Sequence, residues 1–150
     1  MRHSLPQAND LDHVIDVVSY IYNNPGCSLD EIAEYMGFSY RQARYYFDAS
    51  RYLELVDEEK KPTELTNDIF KRTPESITEC VYERIILDEM MGQVFAKAFL
   101  FPSYNIEQFS QELVSIYHPE IVGTTTFKRR SHIIVLWCER IIKYVTSKHL

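Results

Sequence analysis

Apolar residues recur at helical spacing along most of the chain. Val14, Ile15, Val17, Val18, Ile21 and Tyr22 form the first such stripe, which Asn23-Asn24-Pro25-Gly26 interrupts. Ser28-Leu29-Asp30-Glu31 is a capping box, its serine and glutamate spaced to satisfy each other's backbone donors. The helix it opens carries Leu29, Ile32, Ala33 and Met36 on one face, and Gly37 takes the place of the glycine that ends a helix. A second box, Ser39-Tyr40-Arg41-Gln42, predicts a third helix from Tyr40 to about Tyr52. Two helices joined by a short glycine-bearing turn, after an initial helix, make the helix-turn-helix plan.

Beyond it, Leu53-Glu54-Leu55-Val56, the charged run Asp57 to Lys61, and Pro62 to Thr66 read as two extended pieces about a polar turn, a β-hairpin wing. Thr66 is expected to cap a short helix. Pro74, after Lys71-Arg72-Thr73, opens a new helix and marks the internal boundary. Ile77, Val81, Ile85 and the apolar run of the 90s predict one long or broken helix ending near Phe101-Pro102. Asn105 caps a helix from Ile106 to Tyr117, which His118-Pro119 stops, and Thr124, Thr125 and Thr126 cap a last helix from Phe127 to about Val145. The expected fold is mainly α with a small β-hairpin wing, a tandem winged-helix or helix-turn-helix protein. A flexible tail covers 1–10, a winged-helix domain 11–72, and a second helical, winged-helix-like domain 73–150. The second half repeats the plan of the first without an identity-level repeat and without a clear wing.

A length of 150 residues suits one compact domain or two small ones, and 45% hydrophobic with 25% charged residues excludes a disordered chain. Cys27, Cys80 and Cys138 are too few and too scattered for a disulfide framework or a CxxC metal site, and suggest buried thiols in a reducing compartment. No apolar run reaches the ~18 residues of a membrane span, so a soluble, cytoplasmic and nucleoid-associated protein with no membrane partner is expected. Eleven tyrosines against one tryptophan fit either aromatic core plugs or a half-buried binding surface.

Sixteen basic against 22 acidic residues leave a net charge of −6, which excludes an indiscriminate polyanion binder. The charge is unevenly spread. Residues 39–52 carry three basic and one acidic side chain and residues 124–143 five and one, together +6, so the remaining chain stands at −12. In the third helix Ala43, Tyr46, Phe47, Ser50 and Leu53 form the core stripe, and Arg41, Arg44, Tyr45, Asp48 and Arg51 lie opposite. Ser39, Tyr40, Arg41, Gln42, Arg44, Tyr45 and Arg51 are therefore candidate DNA contacts: arginine pairs with guanine edges, glutamine with adenine, and tyrosine with phosphate. Lys60 and Lys61 at the wing tip join them. At the last helix Thr125, Thr126, Lys128, Arg129 and His132 make a candidate phosphate site, with Arg130 falling on the packed seam as a salt bridge or partly buried anchor.

Catalytic patterns are poor. Glu58-Glu59-Lys60 spells the tail of a metal-dependent nuclease site, yet it lacks a second acidic residue on a neighbouring strand and reads as a solvated hairpin tip. His118-Pro119-Glu120 reads as a loop, and no Gly-rich phosphate loop, nucleophile elbow or dinucleotide fingerprint occurs. The chain is expected to be no enzyme, to need no cofactor or metal, and to bind double-stranded DNA. The competing class is a protein docking module without DNA contact.

The stretch from Ser28 to Tyr46, with Arg41-Gln42 and Tyr45-Tyr46, continuing to Tyr52-Leu53-Glu54-Leu55, resembles a bacterial winged-helix DNA-binding module. Thr125-Thr126-Phe127-Lys128-Arg129-Arg130, with Trp137 and Ile141 beyond, is similar to the second element of the same module. Such modules occur alone or fused to type II restriction endonucleases. The resemblance thus implies target recognition in a restriction-type system or transcriptional regulation, with a homodimer or a nuclease or methyltransferase as partner. It departs at Glu54, where the family prefers glycine, and at Arg140, where it prefers a second large aromatic.

Overall fold

The computed structural model describes residues 4–148, so the first three positions of the N-terminal segment and the last two of the second expected domain lie outside the described residues. Among the described residues there are eight α-helices and two single-turn 3-10 helices. The α-helices are α1 (Leu11–Asn23), α2 (Leu29–Met36), α3 (Tyr40–Tyr52), α4 (Glu64–Arg72), α5 (Ile77–Leu87), α6 (Glu89–Leu100), α7 (Ile106–Tyr117) and α8 (Phe127–Lys148). The chain divides into two compact units, one reaching to Val81 and one starting at Tyr82.

In the first unit α1, α2 and α3 pack on one another around Val14, Val17, Val18, Ile21, Ile32 and Ala43, all fully buried. Leu5, Pro6 and Ala8, expected in a loose tail, are buried as well. Asp10 caps α1, accepting from the Asp12 and His13 amides. Both predicted capping boxes are formed: Ser28 with Glu31, and Ser39 with Gln42. Between α2 and α3, Gly37 sits at φ 72°, ψ 31°, a left-handed conformation that costs a Cβ-bearing residue roughly 1–2 kcal/mol.

The β-hairpin wing is absent. Where two strands were expected, Val56 and Pro62 form a single antiparallel bridge, and no strand or sheet occurs among the described residues. Three local features stop the ladder. Pro62, at the non-hydrogen-bonded position of the bridge, has no amide to offer a further strand on its outer edge. The Thr63 amide to the Leu55 carbonyl (3.1 Å) and the Asp57 amide to the Lys61 carbonyl (2.9 Å) make the bridge, but the Leu55 amide that would extend it is turned back to the Ser50 carbonyl at the end of α3 (3.0 Å). Helix α4 then begins at Glu64, so Thr63 holds the N-cap position expected of Thr66, which is instead buried. The fold is all-helical, and the tandem winged-helix description does not hold.

The second unit is built on α6, α7 and α8, which pack pairwise around Trp137, Met90, Met91, Val94, Val114 and Ile141, each fully buried. The helix expected through the 80s and 90s is broken at Asp88, whose extended backbone (φ −65°, ψ 134°) ends α5 while its carboxylate accepts from the Met90 and Met91 amides. Ser110 of α7 donates to the Ser131 carbonyl of α8 at 2.8 Å, which lets a small polar residue be buried at the crossing without an orphaned hydroxyl.

Candidate nucleic-acid interface

The face that α3 turns to solvent is set by what it buries. Ala43, Tyr46, Phe47, Ala49 and Ser50 are buried, and fully burying one large apolar side chain stabilises by ~1.5–3 kcal/mol. Tyr46 fixes the rotation of the helix further: its hydroxyl donates to Asn9 Oδ1 (3.0 Å) and accepts from the Asp10 amide (3.1 Å). Phe38, in the turn, stacks on the Tyr46 ring at 4.9 Å and meets the His13 ring edge-on at 5.4 Å. With that side held down, Tyr40, Arg41, Gln42 and Arg44 are exposed on the other, and Tyr45 and Arg51 are half-buried.

The charge of this helix end runs against helix stability. An α-helix N-terminus is electropositive, and acidic side chains there stabilise by ~0.3–1 kcal/mol each. Neither α3 nor α8 has an acidic residue in its first turn. Arg41 occupies that turn of α3, and exposed Lys128 and Arg129 occupy that of α8. Each helix thus adds side-chain cations to orphaned amides, a combination that suits phosphate.

The predicted residues divide sharply. The side chains of Arg44 and Tyr40 are exposed and make no hydrogen bond or ion pair with any described residue. Arg41 Nε donates to the Tyr45 hydroxyl at 2.7 Å, an i, i+4 pair that holds the guanidinium on the solvent face. Gln42 is exposed, but its carboxamide oxygen is taken: Oε1 accepts from the Ser39 amide (3.1 Å), and Ser39 Oγ accepts from the Gln42 amide (3.1 Å). Its expected pairing with adenine, and any outward role for Ser39, are displaced by the capping box. Arg51 pairs with Glu58 (3.2 Å) and Lys61 with Glu59 (3.7 Å). Lys60 lies over the Phe47 ring at 4.8 Å, so these three serve the turn rather than a protruding wing. Phe47 belongs to the core stripe of α3. It also carries the Arg51 guanidinium, 5.6 Å from its ring, and the signal for this was the i, i+4 spacing of Phe47 and Arg51.

Around the start of α8, Thr124 Oγ1 donates to the Ile121 carbonyl at 2.6 Å and lies 3.5 Å from the Thr126 hydroxyl, tying the turn together. Thr125, Lys128 and Arg129 are exposed, whereas His132 is engaged by Glu107 of α7. Arg130 is half-buried, as its seam position implied. Nearby, a backbone amide, then the His118 ring and the Arg130 charge, hold the exposed Glu120 carboxyl below the usual carboxylate range. Of the fourteen candidates, then, Arg41, Arg44, Lys128 and Arg129 are exposed cations outside the ion pairs of the turn, Arg129 with an interaction of its own.

A family model described as a domain of unknown function (DUF7226) matches residues 13–146, running through both compact units. No curated protein and no solved structure matches the chain. Among the described residues no helix is long and apolar enough to cross a membrane.

Proposed function

The chain belongs to the DUF7226 family, a domain of unknown function, and from its own residues we propose that it binds double-stranded DNA through the exposed N-terminal face of α3. An α-helix with its side chains is about 10–12 Å across, close to the ~12 Å width of the major groove. The observation that carries the reading is the placing of Arg41, exposed in the first turn of a helix where stability alone favours carboxylates, with exposed Arg44 following it on the same helix. With Gln42 in the cap, base discrimination falls to the two arginines, which pair bidentately with guanine O6 and N7. Tyr40 and Tyr45 flank them as phosphate contacts, and Lys128 and Arg129 of α8 supply sequence-independent phosphate binding. Such a protein works on the nucleoid, in the cytoplasm.

The test is binding of the full chain to duplexes selected from a random pool, followed by fluorescence anisotropy. R41E with R44E is expected to weaken binding of the selected duplex about thirtyfold or more, two contacts at ~1–3 kcal/mol each. Circular dichroism should be unchanged. K128E with R129E is expected to weaken all duplexes alike. Selected and random duplexes bound equally, or binding that survives the α3 double substitution, overturns the reading.

A further inference from the structure

Three aromatic rings converge on one ammonium in the second unit, well apart in sequence from α3. Lys97 Nζ, on the last turn of α6, lies 4.6 Å from the ring centre of Tyr104 and 5.1 Å from those of Phe101 and Phe109. The loop that brings the rings together is closed by the Tyr104 amide, which donates to the Phe101 carbonyl at 2.9 Å. Tyr104 in turn meets Phe109, on α7, edge-on at 6.0 Å and 85°. Among the described residues Lys97 has no carboxylate partner, and the rings are what its charge faces. A purely structural clasp gains most by burying its rings, yet Phe101 is 57% and Tyr104 50% exposed.

A ring face attracts a cation through its quadrupole, and the attraction wins most easily for cations that water holds weakly. A lysine ammonium is compact and strongly hydrated. A trimethylammonium group carries the same charge over a larger, apolar surface and gives up less on leaving water. We propose that Phe101, Tyr104 and Phe109 form a binding site for a trimethylammonium group, with Lys97 as its resident and displaceable occupant. The lysine keeps the cage assembled when it is unoccupied from outside and swings into solvent, where its hydration is recovered, when the ligand enters. The site stands independently of the DNA reading, since α3 takes no part in it.

Tetramethylammonium chloride is the probe, titrated into the full chain and followed by NMR, with sodium chloride at equal concentration as the control. Saturable shifts of the Phe101, Tyr104 and Phe109 ring protons are expected. The Lys97 ε-methylene protons, shielded by the rings, should move toward their free-chain position as the ligand replaces them. Lys97→Ala should tighten binding, by the factor with which the lysine competes for the cage, and adding Tyr104→Leu should abolish it. Choline and a peptide carrying trimethyllysine are the further arms: tighter binding of the first marks a small molecule as the source of the group, and of the second a protein tail. Identical responses to the two salts, with the Lys97 protons unmoved in the unsubstituted chain, overturn the proposal whether or not the variants fold.

Discussion

Cys138 has no exposed surface, and its sulfur lies 3.9 Å from the Met91 carbonyl oxygen inside the second unit. Burial pushes its thiol from the ordinary value of 9.0 up to about 12, with Glu139 adding to the shift. The thiolate is the reactive form. At pH 8 a disulfide reagent is therefore expected to modify the half-buried Cys80 first and Cys138 only on unfolding, read by mass spectrometry of the labelled peptides; early labelling of native Cys138 would contradict its burial. The stability sign follows. The folded value is raised, so the contribution is complete below pH 9 and is lost as the pH climbs toward about 12. Glu54 is another residue whose surroundings dictate a departure from the ordinary: at φ 60° it occupies the left-handed region just where the resembled family prefers glycine.

At the scale of elements, Gly92 shows packing overruling propensity. A Cβ built on it would lie 2.2 Å from the Ile86 backbone carbonyl oxygen, in the chain entering the α5–α6 break. Its own amide donates to the Asp88 carbonyl at 2.8 Å, which leaves the helix start little room to shift. Alanine is the better helix former by ~1 kcal/mol, but forcing an atom into a backbone contact typically costs ~1–3 kcal/mol. Gly92→Ala is expected to destabilise by up to about 2 kcal/mol net, seen as a lower urea midpoint at unchanged slope; a higher midpoint would mean that propensity wins. The capping boxes and core stripes were legible because a helix end is a local affair of three or four consecutive residues. The break at Asp88 was less so, since an aspartate within an apolar run is no stop signal until its carboxylate finds two amides.

For the molecule as a whole, the charge pattern makes a quantitative demand on the proposed function. The chain is net −6, and its body outside the α3 and α8 segments is strongly acidic. Only side chains that reach phosphates release counterions, so the logarithm of affinity should fall linearly with the logarithm of salt, by about 0.9 per phosphate neutralised. R41E with R44E is expected to flatten that slope by about two if both reach the backbone, and by less if they reach base edges. A slope that is flat in the unsubstituted chain would point away from DNA altogether.

Ser28, Gly37, Ser39, Asn105 and Pro74 marked helix ends in the sequence because caps and proline act on their own neighbours, and the apolar stripes marked the buried faces because the helical period is intrinsic. The sequence likewise concentrated positive charge on two helices. It could not exclude a wing, since a strand is defined by its partner, and the Leu55 amide went to the Ser50 carbonyl instead of across to Thr63, leaving a single bridge. Nor could it assign Gln42, whose carboxamide fits both a cap and a base edge until the backbone claims it. The aromatic cage about Lys97 needed the third dimension as well: its rings come from a loop and a second helix, and only packing makes them meet. Local chemistry was written along the chain; which side chains remained available to another molecule was decided by tertiary competition for the same few polar atoms.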